Sequence, residues 1–401
     1  MKYIVFKVRA FPVISQTFIT YCIIEAIKNG YEVKIIVDQL NPINESSQED
    51  LLKKYDLLNK VIVNNTPKNK FKRLVAASIL LLNPIILYYF LRYCLQEWNF
   101  SLSYIFILKF YLPIRTIPTY HVHFANFVSP LFQLKQIGFL SSKIIVTFHG
   151  AEAHTLPTGR DLKKLCTDFE KYATYLTVNS NYLKNVLVKQ GFSRHYLKVV
   201  PVGIDVDFFI LKCPAVKDPE VFNIITIGRL VPYKSQIFGI EGTRVLHERG
   251  YAVKYTIIGS GPEYTNVVNY RKKVGLEKSV EILGPRNQNE IKQLLAEHHL
   301  FLMTSTVDDK GRREAFGIVS LEAQAMGLPV IGFNSGGFPE TIQEGKTGFV
   351  VPEADSTELA NAVEKLIKDK KLLKRMSENS RRFVVDNYSI SETNNKYLEL
   401  Y

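Results

Sequence analysis

Residues 314–342 read EAFGIVSLEAQAMGLPVIGFNSGGFPETI, and this stretch decides the fold class. Ile318–Met326 is an apolar segment that predicts a helix, and the Gly-Leu-Pro of residues 327–329 ends it. Val330–Phe333 is a short apolar run typical of a buried strand, and Ser335–Gly337 is a turn. The stretch therefore predicts a loop, a helix and a buried strand in succession, as in an α/β protein.

Two glutamates flank the start of this helix. Glu314 comes just before the helix, and Glu322 lies on it eight positions later, so both carboxylates can face one cleft. The N–H groups around Phe316, Gly317 and Ile318 begin the helix without intrahelical partners and form an anion site. Two hydroxyl acceptors beside a phosphate site suit a nucleotide-sugar. The alternative is an ordinary helix–strand unit with two exposed glutamates.

A pair of cations follows another predicted strand, Phe222–Ile227. Arg229 and Lys234 lie five positions apart in the sequence Gly-Arg-Leu-Val-Pro-Tyr-Lys at its carboxyl end. Two cations on one diphosphate would neutralise the charge that grows on a leaving group as its bond breaks. The alternative is a pair of solvated surface cations.

These motifs resemble the retaining family 4 glycosyltransferases, which adopt the GT-B fold. Glu314 and Glu322 match the family's Glu, seven residues, Glu signature, and the cations match its Gly-Arg-Leu…Lys motif, except that Ser235 replaces the usual Gly. The resemblance implies that Arg229 and Lys234 bind the diphosphate and that Glu322 accepts hydrogen bonds from the ribose. It also implies that Glu314 and the helix N–H groups hold the sugar and its phosphate.

The N-terminal half resembles the family through fewer elements. His149, in the Phe-His-Gly-Ala-Glu of residues 148–152, resembles the family histidine that contacts the donor sugar near the transferred carbon. Residues 11–19 resemble a Phe-Pro-x-x-Ser-Glu-Thr-Phe-Ile version seen in bacterial exopolysaccharide glycosyltransferases, with Gln16 where Glu is common. Ser15 can offer donors to the nucleotide-sugar at the helix N-terminus there, and the alternative is a plain helix cap.

Strand–helix alternation in both halves predicts an α/β fold with two Rossmann-like domains that face each other across a cleft. We expect an acceptor-binding domain over residues 1–204 and a nucleotide-sugar-binding domain over residues 205–380. By resemblance, residues 381–401 form a helix that crosses back to the first domain. A length of 401 residues is enough for two sizeable cores.

The charge is concentrated in the first half of the chain. Residues 1–200 hold 25 Lys+Arg against 12 Asp+Glu, whereas residues 201–401 hold 26 of each, so the first half carries the whole formal excess of +13. A basic half can face nucleic acid, anionic lipid or a phosphorylated acceptor, or can be merely a soluble surface. Four scattered cysteines fit a reduced compartment and no structural zinc site: Cys22, Cys94, Cys166 and Cys213.

Residues 68–117 form a basic apolar insertion in which Glu97 is the only acid. Residues 74–91 are an apolar stretch of membrane-span length, but Asn83-Pro84 interrupts it. A transmembrane helix and buried core helices are both open interpretations. We favour helices that expose a basic, aromatic face to the inner surface of the cell membrane.

Three further patterns in the sequence are weaker indications of a functional site. The His121-Val122-His123 alternation places both imidazoles on one face, but no third metal ligand is evident, so we expect a structural or acceptor-side role. Residues 259–262, Gly-Ser-Gly-Pro, lack the third glycine of a dinucleotide motif, so we expect them to shape the wall near the nucleotide. Asp308-Asp309 is a weak metal candidate.

The sequence as a whole predicts a retaining glycosyltransferase that moves a sugar from a nucleoside-diphosphate-sugar to a glycan or lipid-linked glycan hydroxyl in cell-surface polysaccharide synthesis. We expect Glu314, His149, Arg229 and Lys234 to be catalytic. We expect no metal, no other cofactor and no nucleic acid, and a cytoplasmic protein held peripherally at the membrane. The alternatives are a GT-B nucleotide-sugar epimerase or phosphorylase, and a non-catalytic subunit that anchors another enzyme at the membrane.

Overall fold

The computed structural model describes residues 2–13, 16–46, 48–64, 66–67, 69–98, 100–210 and 220–401. The chain divides into two compact units. The first unit comprises Met1–Val178, Leu187–Lys198 and Lys396–Tyr401, and the second comprises Asn179–Val186 and Val199–Asn395. The sequence prediction placed the boundary at residue 204 and the returning segment at 381–401. In the structure only the last six residues belong to the first unit, and a short piece near residue 180 belongs to the second.

The first unit is built on a seven-stranded sheet with the order β3-β2-β1-β4-β5-β6-β7. Its strands are β1 (Lys2–Phe11), β2 (Tyr31–Leu40), β3 (Val61–Val63), β4 (Thr119–His123), β5 (Lys143–Phe148), β6 (Tyr175–Val178) and β7 (Leu197–Val199). The pairings from β3 through to β6 are parallel. The central strands are continuous apolar runs, with Ile4, Phe6 and Ile145 fully buried, because helices cover both faces of a parallel sheet.

Eight helices lie among the described residues between β1 and β7. They are α1 (Thr17–Lys28), α2 (Glu49–Lys54), α3 (Lys70–Leu80), α4 (Pro84–Glu97), α5 (Ser103–Tyr111), α6 (Leu131–Gln136), α7 (Gly159–Tyr172) and α8 (Asn181–Lys189). Within the described residues no single helix is long and apolar enough to cross a membrane. The pair α3 and α4 passes that test only when taken together, and it is bent by 111°.

The second unit contains a six-stranded parallel sheet with the order β10-β9-β8-β11-β12-β13. Its strands are β8 (Phe222–Ile227), β9 (Val253–Ile258), β10 (Val280–Gly284), β11 (Leu300–Met303), β12 (Val330–Phe333) and β13 (Gly348–Val351). The following helices are α9 (Ile237–Glu248), α10 (Tyr264–Lys273), α11 (Gln288–Glu297), α12 (Ile318–Ala325), α13 (Ser356–Lys368), α14 (Lys370–Tyr388) and α15 (Ile390–Leu398). Its core is one apolar cluster between sheet and helices, in which Ile224, Ile257 and Leu359 are fully buried.

Two parallel sheets covered by helices confirm the predicted α/β class. The strand order of each sheet reverses direction once, at β1 and β4 in the first unit and at β8 and β11 in the second. Ligands of such sheets bind outside the carboxyl ends of the strands at this reversal. The rule points to the residues that follow β1 and β4 in the first unit and β8 and β11 in the second, and β5 lies next to β4 in its sheet.

Candidate functional site

The loop after β8 is fixed by a glycine-rich turn after β9. The Leu230 N–H donates to the Ser260 carbonyl at 2.9 Å. A Cβ on Gly259 would lie 1.9 Å from the Gly228 carbonyl oxygen, and one on Gly261 would lie 2.2 Å from the Leu230 oxygen. Only glycine permits this close backbone approach, and both glycines also have positive φ. The 259–262 turn therefore supports the Arg229 loop.

The two predicted cations have different environments. Arg229 is exposed, and its Nη2 donates to the Tyr233 hydroxyl at 3.2 Å. Lys234 follows in a short 3-10 turn, and its side chain is only 13% exposed because its ammonium forms an ion pair with the Glu314 carboxylate. Arg229 is therefore a solvated side chain in this structure. The alternative interpretation of two solvated surface cations does not hold for Lys234, because Glu314, 80 residues later, binds its ammonium.

The Glu314 loop is held in place from two sides. The Gly337 N–H donates to the Glu314 carbonyl at 2.8 Å, and a Cβ on Gly336 would lie 2.0 Å from that same oxygen. On the other side, the Ser180 Oγ donates to the Ala315 carbonyl at 2.7 Å. The turn after β12 and the segment before α8 thus both bind this backbone. Sequence reasoning missed Ser180, since a contact 135 residues apart leaves no local signal.

Helix α12 begins directly after this loop. Gly317 precedes its first residue with φ +96°, a conformation that favours glycine, and Phe316 is buried beside it. The Ser320 Oγ donates to the Gly317 carbonyl at 2.7 Å and fixes the first turn. The predicted anion site around Phe316, Gly317 and Ile318 is therefore a formed helix N-terminus, whose N–H groups point away from the helix body.

Glu322 lies on α12, and its side chain is half-buried. No hydrogen bond to its carboxylate comes from the residues that the structure describes. Burial in this apolar helix environment raises the pKa of Glu322 to about 7. The side chain therefore presents a hydrogen-bond acceptor without a protein donor, which is the condition of a ligand-binding carboxylate.

His149 follows β5 in the first unit. Its ring lies 4.8 Å from the Phe18 ring and 4.6 Å from the Phe124 ring, centroid to centroid, and its Nε2 is 3.1 Å from the His123 Nδ1. Burial lowers the pKa of His149 to about 3, so the imidazole is neutral at physiological pH. Its backbone N–H donates to the Glu152 carboxylate at 2.7 Å. His149 is thus a held, neutral hydrogen-bonding group.

His121 and His123 belong to a buried cluster that the sequence did not reveal. The His121 Nδ1 is 2.8 Å from the Tyr401 hydroxyl, and its Nε2 is 2.7 Å from the Thr147 Oγ1. Cys22, from α1, brings a third potential metal ligand within 4.8 Å of the two imidazoles, so the sequence statement that none was evident is wrong. Burial raises the pKa of Cys22 to about 12, so the thiol is protonated in this apolar cluster. The hydrogen bonds favour the structural role.

Asp308, the weak metal candidate, is bound by the protein itself. Its carboxylate accepts from the Arg312 Nε at 2.7 Å and from the Lys310 and Arg312 backbone N–H groups at 3.0 and 2.8 Å. Asp309 follows it directly in the sequence.

Ser15, the remaining predicted donor-binding residue, lies outside the residues that the structure describes. The structure thus brings Lys234 and Glu314 together, with Arg229 and Glu322 in the same unit, and places His149 in the other unit.

Two family models match consecutive parts of the chain. The model described as Glycosyltransferase Family 4 matches residues 16–208, and that described as Glycosyl transferases group 1 matches residues 212–383. The first match covers most of the first unit apart from β1, and the second covers most of the second unit. The chain belongs to the family 4 glycosyltransferases. It is accordingly a transferase enzyme, and the predicted resemblance is confirmed.

Named relatives extend the match over most of this glycosyltransferase. The chain is 27% identical over 359 residues to the amylovoran biosynthesis glycosyltransferase AmsK of Erwinia amylovora, with 87% of each chain covered. It is also 27% identical over 360 residues to the putative colanic acid biosynthesis glycosyltransferase WcaL of Escherichia coli K12, again over 87% of each. The crystal structure of Anabaena HepE in complex with UDP has a TM-score of 0.74 at 18% identity, with 100% of this chain and 99% of that chain covered. This similarity confirms the GT-B fold.

Proposed function

We propose that this glycosyltransferase transfers a sugar, with retention of its anomeric configuration, from a nucleoside-diphosphate-sugar to a hydroxyl of a glycan or lipid-linked glycan. The observation that carries the proposal is the mostly buried Lys234–Glu314 ion pair directly before the N-terminus of α12, with Arg229 on the same loop as the lysine. The names of the relatives AmsK and WcaL support a place in cell-surface polysaccharide synthesis. The UDP bound by HepE supports a nucleoside diphosphate as the donor's leaving group.

The cations and the helix stabilise the leaving diphosphate. When the bond between the sugar carbon and the diphosphate oxygen breaks, negative charge grows on that oxygen. Three positive groups of the second unit can stabilise this charge: the Lys234 ammonium, the Arg229 guanidinium and the first-turn N–H groups of α12. Because Lys234 is held by Glu314, the diphosphate binds by competing for a cation that is already in position, so little reorganisation is needed at the reacting bond.

The two glutamates bind different parts of the donor. Glu322 accepts hydrogen bonds from the ribose hydroxyls, which supply the donors that the described protein residues do not. Glu314 shifts from Lys234 to the hydroxyls of the sugar when the diphosphate takes the lysine. The neutral His149 imidazole is our candidate for a further hydrogen bond to the sugar, since a group with a pKa of about 3 adds no charge to the reaction.

Retention follows from attack on the face that the diphosphate leaves. The acceptor oxygen forms its bond to the sugar carbon as the carbon–diphosphate bond breaks, and the acceptor proton passes to the leaving phosphate oxygen. No protein nucleophile enters this scheme. The cations then act only on the diphosphate, which is where the charge change occurs.

Donor turnover by the isolated chain tests the proposal. Calorimetric titration with UDP, GDP and ADP identifies the base, and the anomeric configuration of the product is read by NMR. Lys234→Ala should lose turnover by about 100-fold or more, the scale of one lost preorganised donor. Lys278→Ala, which removes an exposed lysine of the same unit, is the matched control. Wild-type turnover in Lys234→Ala, or an inverted product, would overturn the assignment.

A further inference from the structure

The bent helix pair α3–α4 exposes most of its large apolar side chains. Seventeen large apolar side chains are exposed in the part of the chain that the structure describes, and twelve of them lie between residues 71 and 100. We call these twelve the apolar patch: Phe71, Leu74, Val75, Ile79, Leu82, Ile85, Leu87, Tyr88, Leu91, Leu95, Trp98 and Phe100. Apolar surface concentrated in this way marks an interaction site.

The exposure belongs to well-formed helices. The Asn69 side chain caps α3 by accepting from the Lys72 N–H at 3.1 Å. Asn83 caps α4 by accepting from the Ile85 N–H at 3.0 Å, and Pro84 is the first residue of that helix. Both asparagines are N-caps, and α4 starts at Asn83-Pro84 three residues after α3 ends at Leu80, so the 111° bend lies at Asn83-Pro84.

The other side of the pair is anchored in the first unit. Ile86, Phe90 and Tyr93 of α4 are buried, and the Tyr93 ring stacks on the Tyr104 ring of α5 at 3.6 Å. Helix α5 is itself mostly buried, so the part of the predicted insertion that it forms is core. The sequence left open whether residues 68–117 form buried core helices or helices with an exposed face. In the structure α5 is a core helix, whereas α3 and α4 have an exposed apolar face. The patch is therefore the outer side of helices whose inner side packs on the first unit.

The charge around the patch is positive. Residues 69–98 carry Lys70, Lys72, Arg73 and Arg92 against the single acid Glu97. Lys70 and Lys72 are exposed at the start of α3, whereas the Arg73 Nε donates to the Pro67 carbonyl at 2.9 Å. A basic rim beside exposed apolar and aromatic side chains is complementary to an anionic lipid surface, whose headgroups attract cations and whose acyl boundary accepts apolar groups.

We propose that the apolar patch docks onto an anionic bilayer and holds the chain peripherally at the cytoplasmic face of the cell membrane. Helices of 11 and 14 residues are roughly 16 and 21 Å long, too short alone for a hydrocarbon core of about 30 Å. With a 111° bend between them they do not form one straight span, and the proposal places both helices in the interface. The cytoplasmic leaflet carries the anionic lipids that Lys70 and Lys72 match. This inference does not depend on which sugar is transferred, or on whether one is.

Liposome sedimentation with the full chain tests the docking. One variant carries Phe71→Ser, Leu82→Ser and Leu95→Ser, which replace side chains that are 74, 82 and 75% exposed. A second carries Lys70→Glu and Lys72→Glu and leaves Arg73, which binds the Pro67 carbonyl, unchanged. The matched control carries Leu40→Ser and Tyr264→Ser, at exposed apolar positions outside the patch. Intact folding of each variant is checked by its circular dichroism and melting temperature.

The wild type and the control should bind vesicles that contain phosphatidylserine more tightly than phosphatidylcholine vesicles, and less tightly in high salt. The serine and glutamate variants should each bind on the order of tenfold or more weakly. Wild-type-like binding by either variant would overturn the proposal. So would resistance of the bound protein to alkaline carbonate, which indicates a span. A patch-dependent dimer without vesicle binding would instead assign the patch to a second copy of the chain.

Discussion

Glu322→Gln removes the charge of one carboxylate and keeps its shape. If Glu322 is a ligand-binding group without a protein donor, the wild-type protein carries an unfavourable desolvated charge until the donor arrives. The variant should then be more stable than the wild type in the empty state and should bind the nucleoside diphosphate less well. A structural carboxylate would show the opposite stability effect, because its partners would lose their acceptor.

The magnitude follows from the pKa of Glu322, which is raised to about 7 from the ordinary value of 4.5. A pKa difference of one corresponds to about 1.36 kcal/mol, so the rise from 4.5 to about 7 corresponds to about 3.4 kcal/mol. Because the side chain is only half-buried, we expect about 1–3 kcal/mol of this. A raised carboxyl pKa means that the folded state holds its proton more tightly than the unfolded state. The stability contribution is therefore fully present below pH 4.5 and is lost as the pH rises through about 7.

Thermal unfolding of the empty protein at pH 5 and pH 8.5 measures this difference. At pH 8.5 Glu322→Gln should melt higher than the wild type by about 2–10 °C, and at pH 5 the two should nearly coincide. Glu277→Gln, at an exposed position of the same unit, should show no such pH-dependent gain. Titration with the nucleoside diphosphate above pH 7 should give about 10–100-fold weaker binding in Glu322→Gln, the value of a hydrogen bond to a charged group.

Lower stability of Glu322→Gln at both pH values would refute the reasoning, since it would show that the carboxylate has an essential protein partner. Unchanged affinity for the nucleoside diphosphate would refute the assignment to the ribose. For the wild type, affinity should fall as the pH falls through about 7, because a protonated Glu322 accepts the ribose hydroxyls less well. This pH dependence should be absent in the variant.

The remaining predictions concern the cations, Glu314 and metals. Arg229→Ala should lose several kcal/mol of transition-state stabilisation, measured as kcat/KM, with an unchanged melting temperature because the side chain is exposed; a large loss of stability would contradict this. Lys234→Ala should lower both turnover and melting temperature, since it leaves the mostly buried Glu314 without its cation, and adding Glu314→Gln should restore the melting temperature but not turnover. Glu314→Gln alone should bind free nucleoside diphosphate at least as tightly as the wild type, while sugar transfer falls. An equal loss of affinity for the free nucleoside diphosphate and for the full nucleotide-sugar would refute the separate roles of the glutamates. EDTA should leave turnover intact, whereas strict dependence on Mg²⁺ or Mn²⁺ would point to a metal-bound diphosphate, with Asp308 and Asp309 as the residues to test.

Local patterns determined most of the secondary structure. The predicted strands Phe222–Ile227 and Val330–Phe333 have the predicted bounds in the structure, and the helix predicted over Ile318–Met326 is α12, which ends one residue earlier. Apolar runs, helix periodicity and Gly or Pro at the ends depend on neighbours in sequence, so they can be read without the fold. The two-sheet α/β class followed from their alternation, and the motif with Glu314 indicated the family.

Tertiary structure decided which groups meet. The Lys234–Glu314 pair joins residues 80 positions apart, and the His121–Tyr401 hydrogen bond joins residues 280 apart. No local pattern contains such information, because the distance between two loops is set by the order of the strands that carry them. The same reason kept the sequence from predicting that Lys234 is mostly buried.

The apolar insertion, residues 68–117, shows most clearly what the sequence determined and what only the tertiary structure decided. Its composition determined that helices α3, α4 and α5 would form, and Asn83-Pro84 determined where the first two separate. Hydrophobicity alone does not tell a core face from an exposed one, since both are apolar and the difference lies in what covers them. Only the packed structure buried α5 and left the apolar patch of α3–α4 uncovered, because burial depends on neighbouring elements that are distant in sequence.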